Sequence, residues 1–189
     1  LKIHLIRAAL TAVMAYLFFF GLTRIPLAQA IGLSFIAPII TLFLAVPILG
    51  ERIGANAKLA AVLGFGGVMV VVGGELLAVD EGSDAVGMAA VLISAVMYAF
   101  NLVLQRMQAL VARPLEIAFY QNTIVFLMML VGVPFAVSWP ASTFQWGGAA
   151  LAAGLAVGSL MLMSLAYRQA EAQRLVVIEY TAFIWAAIL

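Results

Sequence analysis

The sequence predicts an all-α integral membrane protein: a multi-helix bundle of inverted five-helix repeats, with seven of about ten transmembrane helices present. Three observations carry this. Of the 189 residues, 67% are hydrophobic and only 9% charged, against about 45–50% and 25% in a soluble chain. The few charges fall at intervals that leave room for spanning helices, which need about 20 apolar residues each. Two segments 144 residues apart also repeat. The apolar stretches are continuous rather than alternating, which selects helices over a barrel.

The same composition excludes a soluble enzyme, a disordered region and a nucleic-acid binder. Nine scattered basic residues make no phosphate-binding patch. There is no cysteine and one histidine, His4, so no disulfide, thiolate metal site or Cys nucleophile is available. No cofactor or metal is expected.

Seven spans follow in order, near 5–22, 27–49, 59–79, 86–107, 115–137, 146–167 and 171–189. Arg7 to Arg24 encloses 16 uncharged residues, the first span. Phe18, Phe19 and Phe20 within it read as lipid-facing and core bulk. Arg24 to Glu51 encloses 26, the second. It carries Ser34, Pro38 and Thr41 at i, i+4 and i+7. Pro38 cannot donate to the Ser34 carbonyl and its ring crowds that oxygen, so a kink is expected there. The freed acceptor either lines a cavity or marks a plain packing kink. Pro47 reads as the terminator of this span. Lys58 to Glu75 encloses 16, the third span. Ala60, Gly67 and Gly74 recur every seven residues along it and permit close helix approach.

The fourth span lies between Asp84 and Arg106, which enclose 21 residues. Ser94, Tyr98, Asn101, Gln105 and Gln108 form one polar stripe along it. Lipid opposes such a stripe, so it should face protein or water. It is either the wall of a substrate cavity or a set of interhelical hydrogen bonds. Gln105 and Gln108 lie towards the end of the helix and read as simply wet. Glu116 to Arg168 encloses 51 residues, enough for the fifth and sixth spans. Pro134, Trp139 and Pro140, with Trp146 behind them, mark the hairpin between the two at an interfacial aromatic belt. Gly154 and Gly158 make a GxxxG pattern for close packing. The seventh span carries Glu179 about 12 Å into the helix, at about 1.5 Å per residue. A carboxyl at that depth is either functional, suited to proton coupling or to an amine, or a neutral or Arg-paired structural group. Tyr180 beside it offers a ring and a hydroxyl.

With the chain start placed on one side, Lys2, Arg7, Arg52, Lys58, Arg106, Arg113, Arg168 and Arg174 all fall on that side. Only Arg24 falls opposite, with Asp80, Glu81 and Asp84. The basic side is therefore expected to be the cytoplasm. An extra or missing helix would scatter the basic residues.

The repeat aligns Arg24, Ala28 and Gln29 with Arg168, Ala172 and Gln173. Both segments are hinges between spans, on opposite sides of the membrane. A unit with an odd number of helices produces that inversion, most often in secondary transporters with a site at the repeat interface. The chain does not begin with Met and ends in an apolar run, so a fragment is expected. The shift sizes the whole at ten helices, with two before residue 1 and one after residue 189. Residues 1–80 would end the first repeat, with three helices. Residues 85–189 would make most of the second, with four.

Ile3-His4-Leu5-Ile6-Arg7-Ala8, then Pro26 through Pro38, then Leu49-Gly50-Glu51-Arg52 resemble the third and fourth helices of the EamA family, in the drug/metabolite transporter superfamily. Glu179-Tyr180-Thr181-Ala182, followed by Trp185, resembles the ninth helix of that family. One departure is Ala182, which stands where the corresponding earlier helix has Pro38. The resemblance implies a ten-helix carrier of amino acids, nucleoside-like metabolites or drugs, multi-pass in a bacterial inner membrane. Its partners would be a small-molecule substrate, the lipid bilayer and a coupling proton, with no nucleic acid.

The polar residues within the spans nominate Ser34, Thr41, Ser94, Tyr98, Asn101, Glu179 and Tyr180 as the substrate site. The rival functions are weaker on sequence. An intramembrane serine protease needs a base beside its serine, and His4 sits at the membrane edge. No HExxH motif exists. A channel would show a charged ring or a carbonyl filter sequence.

Overall fold

A computed structural model describes residues 2–77, 84–132, 141–178, 180 and 181. Every element in it is helical. In chain order these are α1 (Lys2–Leu22), α2 (Leu27–Ser34), α3 (Ala37–Leu49), α4 (Ala55–Leu77), α5 (Ala85–Val111), α6 (Pro114–Met129), α7 (Thr143–Gln169) and α8 (Ala172–Ile178). A single 3-10 turn, Leu130–Gly132, follows α6. With α2 and α3 taken as one broken rod, seven helical rods fall in the order of the expected spans, the last described over Ala172–Ile178 only, and the chain is a multi-pass helical bundle. Four rods are long and apolar enough to cross a membrane by themselves: Lys2–Leu22, Leu27–Leu49, Ala85–Val111 and Thr143–Gln169. The Pro134–Pro140 hairpin lies outside the described residues.

Local chemistry sets the helix ends. Asp84 caps α5, its Oδ1 accepting from the Val86 and Gly87 amides at 2.9 and 3.0 Å. Pro114 opens α6, where its missing N–H leaves no bond unmade. Ser142 Oγ accepts from the Gln145 amide and caps α7. The second span is broken rather than bent. Phe35 and Ile36 form a turn between α2 and α3, with Ile36 N–H closing on the Leu33 carbonyl at 3.4 Å. Pro38 explains this, since it leaves the Ser34 carbonyl without its helical donor. Pro47 does not end the rod as expected. The helix runs through it to Gly50, whose φ of 69° is left-handed. Only glycine takes that conformation cheaply, and it lets the Gly50 and Glu51 amides close back on Val46 and Ala45.

The rods alternate in direction. Arg7 near the start of α1 meets Gln105 and Gln108 near the end of α5, and Arg24 after α1 meets Asp84 before α5. One end of the bundle therefore gathers the basic residues, as the charge map requires. At that end Glu51 bonds the Ala172 and Gln173 amides that begin α8, and pairs with Arg106 at 3.4 Å. Arg106 also donates to the Tyr167 carbonyl. This joins the ends of α3, α5 and α7 to the second hinge.

The core lies around α5. One apolar cluster gathers Ala45, Leu102, Ile117, Tyr167 and Val176. A second, of Ala37, Ala95 and Ala99, seats α3 on α5. Glycines give close approach at positions the seven-residue pattern does not name. A Cβ on Gly21 would meet Val91 Cγ2 at 2.4 Å, and one on Gly64 would meet the Tyr180 ring at 2.6 Å. Gly67, Gly154 and Gly158 instead face open space, so the expectation of close packing is not met there among the described residues. Large apolar side chains such as Phe43 and Phe126 point outward, as a lipid-facing surface requires.

Candidate functional site

The polar stripe of α5 divides into two parts with different partners. The upper part, Ser94 and Tyr98, borders two adjoining clefts. One, of about 360 Å³, is lined by Phe18, Ile31, Ser34, Phe35, Pro38, Tyr98 and Met163. The other, of about 290 Å³, is lined by Met14, Ala15, Phe18, Phe19, Ser34, Ser94, Ala95 and Tyr98. Phe18, Ser34 and Tyr98 belong to both, so the two clefts adjoin and together make a recess beside α1, the broken rod and α5. Ser34, Phe35 and Pro38, at and beside the break, line this recess together with Tyr98 of α5. Phe18, read from sequence as bulk, is a wall of the site.

Within the recess the hydroxyls are partly committed. Ser34 Oγ donates to the Ala30 carbonyl at 2.8 Å and Ser94 Oγ to the Met14 carbonyl at 2.8 Å. Each oxygen keeps acceptor capacity for a ligand donor. Tyr180 stands behind Phe35: the rings stack with centroids 5.7 Å apart and an interplanar angle of 16°, and the Tyr180 hydroxyl donates to the Phe35 carbonyl at 3.1 Å. It reaches the recess through Phe35, whose ring it orients. The described walls carry no ionised side chain, so the recess suits an uncharged or delocalised aromatic group held by ring faces.

The lower part of the stripe does not reach the recess. Asn101, Gln105 and Gln108 close around Arg7, which is 2% exposed. Arg7 Nε donates to Asn101 Oδ1 at 3.1 Å, one terminal nitrogen to Gln108 Oε1 at 2.8 Å and the other to Gln105 Oε1 at 3.0 Å. Three amide oxygens at i, i+4 and i+7 thus match the planar fork of one guanidinium. Gln105 and Gln108, read as wet, are 4% and 0% exposed. Gln108 Nε2 donates onward to His4 Nδ1 at 3.0 Å, and His4 Nε2 lies 3.5 Å from Glu116 Oε1. Thr11 joins from the next turn of α1, donating to the Arg7 carbonyl at 2.9 Å, lying 3.3 Å from Asn101 Oδ1 and accepting from Gln121 Nε2 at 2.7 Å. Asn101 is therefore a structural ligand of Arg7, not a cavity wall. Thr41 is also placed away from the recess. It is fully buried in the α3–α5 seam and donates to its own Ala37 carbonyl at 2.8 Å, with the Ala99 carbonyl 3.5 Å away.

So the structure brings Ser34, Ser94 and Tyr98 together, adds Tyr180 through Phe35, and leaves Thr41 and Asn101 in helix seams. Glu179 lies outside the described residues. Arg7 escaped the sequence reading because its position near the first charge boundary made it one more basic residue on one side. A signal existed: a buried cation needs acceptors, and the amide stripe had more oxygens than two helices require.

At the opposite end Arg24 donates to Asp84 Oδ2 at 2.6 Å and lies 4.6 Å over the Phe20 ring. The Arg24 guanidinium, with help from the Gly87 and Val86 amides, holds the Asp84 carboxyl below the usual carboxylate range.

Residues 1–73 match the EamA-like transporter family. A protein named as a riboflavin transporter, from Rhizobium johnstonii (strain DSM 114642 / LMG 32736 / 3841), is 30% identical over 156 residues, 82% of this chain and 44% of its own length. The chain thus spans less than half of the relative it matches. No solved structure matches it. The resemblance carried by Pro26 through Pro38 and by Leu49–Arg52 falls within the residues that match the EamA-like transporter family.

Proposed function

We propose that this chain is part of a secondary transporter that moves small organic metabolites across the membrane by alternating access. The observation that carries the reading is the recess of Phe18, Ser34, Phe35, Ser94 and Tyr98, set between rods of a multi-pass bundle whose first part is EamA-like. Amino acids, nucleoside-like compounds and drugs are the cargo classes that the family resemblance implies. Among them the aromatic walls favour flat, weakly charged molecules, and the relative named as a riboflavin transporter makes riboflavin the first probe. The membrane is a bacterial inner membrane, with the basic end of the bundle in the cytoplasm. Residues 1–80 and 85–189 are parts of two inverted repeats, with the recess at their interface.

A coupling proton is assigned to Glu179 on sequence grounds, since an ionisable group at that depth is functional by default. Uptake of labelled riboflavin and of competing amino acids and nucleosides into vesicles holding the full-length protein tests the reading. Saturable uptake, competed by flat aromatic compounds, supports it. Flux that rises linearly with concentration is a channel's behaviour and overturns it. Glu179→Gln keeps the shape but removes titration, so it should flatten the pH profile of uptake while leaving folding intact. An unchanged profile removes the proton role.

A further inference from the structure

Alternating access needs one part of a transporter to move against another, and the repeat boundary offers residues 1–80 against 85–189. The hydrogen bonding in the bundle divides it differently. From the contrast between two seams we infer that α1 moves with α5 and α6 as one rigid body, and that the broken rod α2–α3 slides against this body; the inference rests on the transport reading above.

The α1–α5 seam is bonded at every level. Arg7 binds three amide oxygens near one end. Ser94 bonds the Met14 carbonyl at mid-height. Gly21 then brings the backbones together, its hydrogen side facing Val91 and the Gly87 carbonyl. Arg24 pairs with Asp84 beyond the far end. Helix α6 is tied to the same unit: Gln121 bonds Thr11, and the Tyr120 ring packs 4.8 Å from the His4 ring. Breaking this seam would strand Arg7 and three buried amides in hydrocarbon, where no water replaces the lost partners. α1 meets its sequence neighbour α2 only slightly.

The α3–α5 seam is built for the opposite behaviour. Ala37 faces Ala95 and Ala99, three buried methyl groups with little relief. The Thr41 bond to the Ala99 carbonyl is long, at 3.5 Å, and Thr41 already bonds its own helix at 2.8 Å. Sliding therefore strands no donor within the apolar length of the seam; at its basic end it parts one charged pair, Glu51 with Arg106 at 3.4 Å, beside a cleft that Arg52 and Glu171 also line. The turn at Phe35–Ile36 supplies a joint in the sliding rod, beside the recess. Small shear between smoothly packed helices, with a joint at an element end, is a standard route to closure.

Two disulfides in the full-length protein test this. Residues 1–189 contain no cysteine, and any cysteine outside them is replaced by serine. A Cβ on Gly21 lies 3.6 Å from Val91 Cβ, within the disulfide range of about 3.5–4.5 Å. Gly21→Cys with Val91→Cys should therefore cross-link on oxidation and keep at least half of its riboflavin uptake. Ala37→Cys with Ala99→Cys, bridged by a short thiol-specific cross-linker, should lose uptake at least tenfold and recover it on reduction. Reversible loss in the first pair, or full uptake in the bridged second pair, overturns the inference. If no variant carries riboflavin before cross-linking, the cargo reading has failed and pulsed spin-label distances decide the motion. Labels at Phe19 and Ile93 should give one narrow distance, and labels at Phe43 and Ile93 two populations. A broad distance between α1 and α5 overturns the rigid body.

Discussion

Removing the Arg7 guanidinium should destabilise the protein by about 2–5 kcal/mol. Arg7→Met keeps the stem and deletes the fork. It strands Asn101 Oδ1, Gln105 Oε1 and Gln108 Oε1, whose residues are 4%, 4% and 0% exposed. Side-chain hydrogen bonds between membrane helices average about 0.6 kcal/mol, so three of them give a floor of roughly 2 kcal/mol. Removing one partner of a buried charged network costs about 3–5 kcal/mol in soluble proteins. The cost of burying the guanidinium vanishes with it, which keeps the total at or below that range. Equilibrium unfolding of the full-length protein in mixed micelles reads the difference. Replacing Arg7, Asn101, Gln105 and Gln108 together with Met and Leu should recover most of the loss, because donor and acceptors then disappear together. A single Arg7→Met variant within about 0.5 kcal/mol of the parent would show that the amides find other partners, and the account of the stripe would be wrong.

Three further outcomes are expected. The Asp84 carboxyl has a depressed folded value, so its contribution is complete above the unfolded value of about 3.9 and is lost as pH falls through the folded one. Melting temperature should therefore drop at acid pH, and Asp84→Asn should remove that part of the drop. Gly21→Ala places a methyl 2.4 Å from the stiff Val91 side chain and should cost about 1–3 kcal/mol; adding Val91→Ala should recover most of it, measured by the same unfolding assay. Tyr98→Ala should raise the half-saturation for an aromatic cargo about tenfold, or roughly 1.4 kcal/mol, and should also lower the melting temperature, because the Tyr98 ring packs against two apolar clusters.

Much of this architecture was legible because the membrane imposes simple rules. Charges spaced by a span length, and basic residues gathered on one side, located seven rods and their alternation. The resemblance at Pro26 through Pro38 found the family. Pro38 pointed to the distortion of the second span, though a missing donor beside a crowded carbonyl produced a break and not a bend. Pro47 misled because a proline ring near a helix end need not stop the helix, whereas Gly50 can take the left-handed turn that does.

The stripe on α5 shows where helical periodicity stops informing. It located five polar residues on one face but not what stood opposite them. Arg7 lies 94 to 101 residues away in sequence from its three acceptors, and nothing local in either segment pairs them. The same holds for Gly21 against Gly87 and Val91, and for Phe18 turning from a run of three phenylalanines into the recess. Tyr180 was chosen as a neighbour of Glu179, yet its observed partners are Phe35 and Gly64, from helices that the sequence places far away.

Uptake into proteoliposomes containing the full-length protein tests the central claim most directly. Labelled riboflavin is offered outside, with and without excess unlabelled compound preloaded inside. A carrier with its site in the recess predicts saturable entry, acceleration by the preloaded compound as the site returns loaded, and a half-saturation about tenfold higher in Tyr98→Ala. Entry that neither saturates nor responds to preloading, across a panel of aromatic, amino acid and nucleoside compounds, would contradict it.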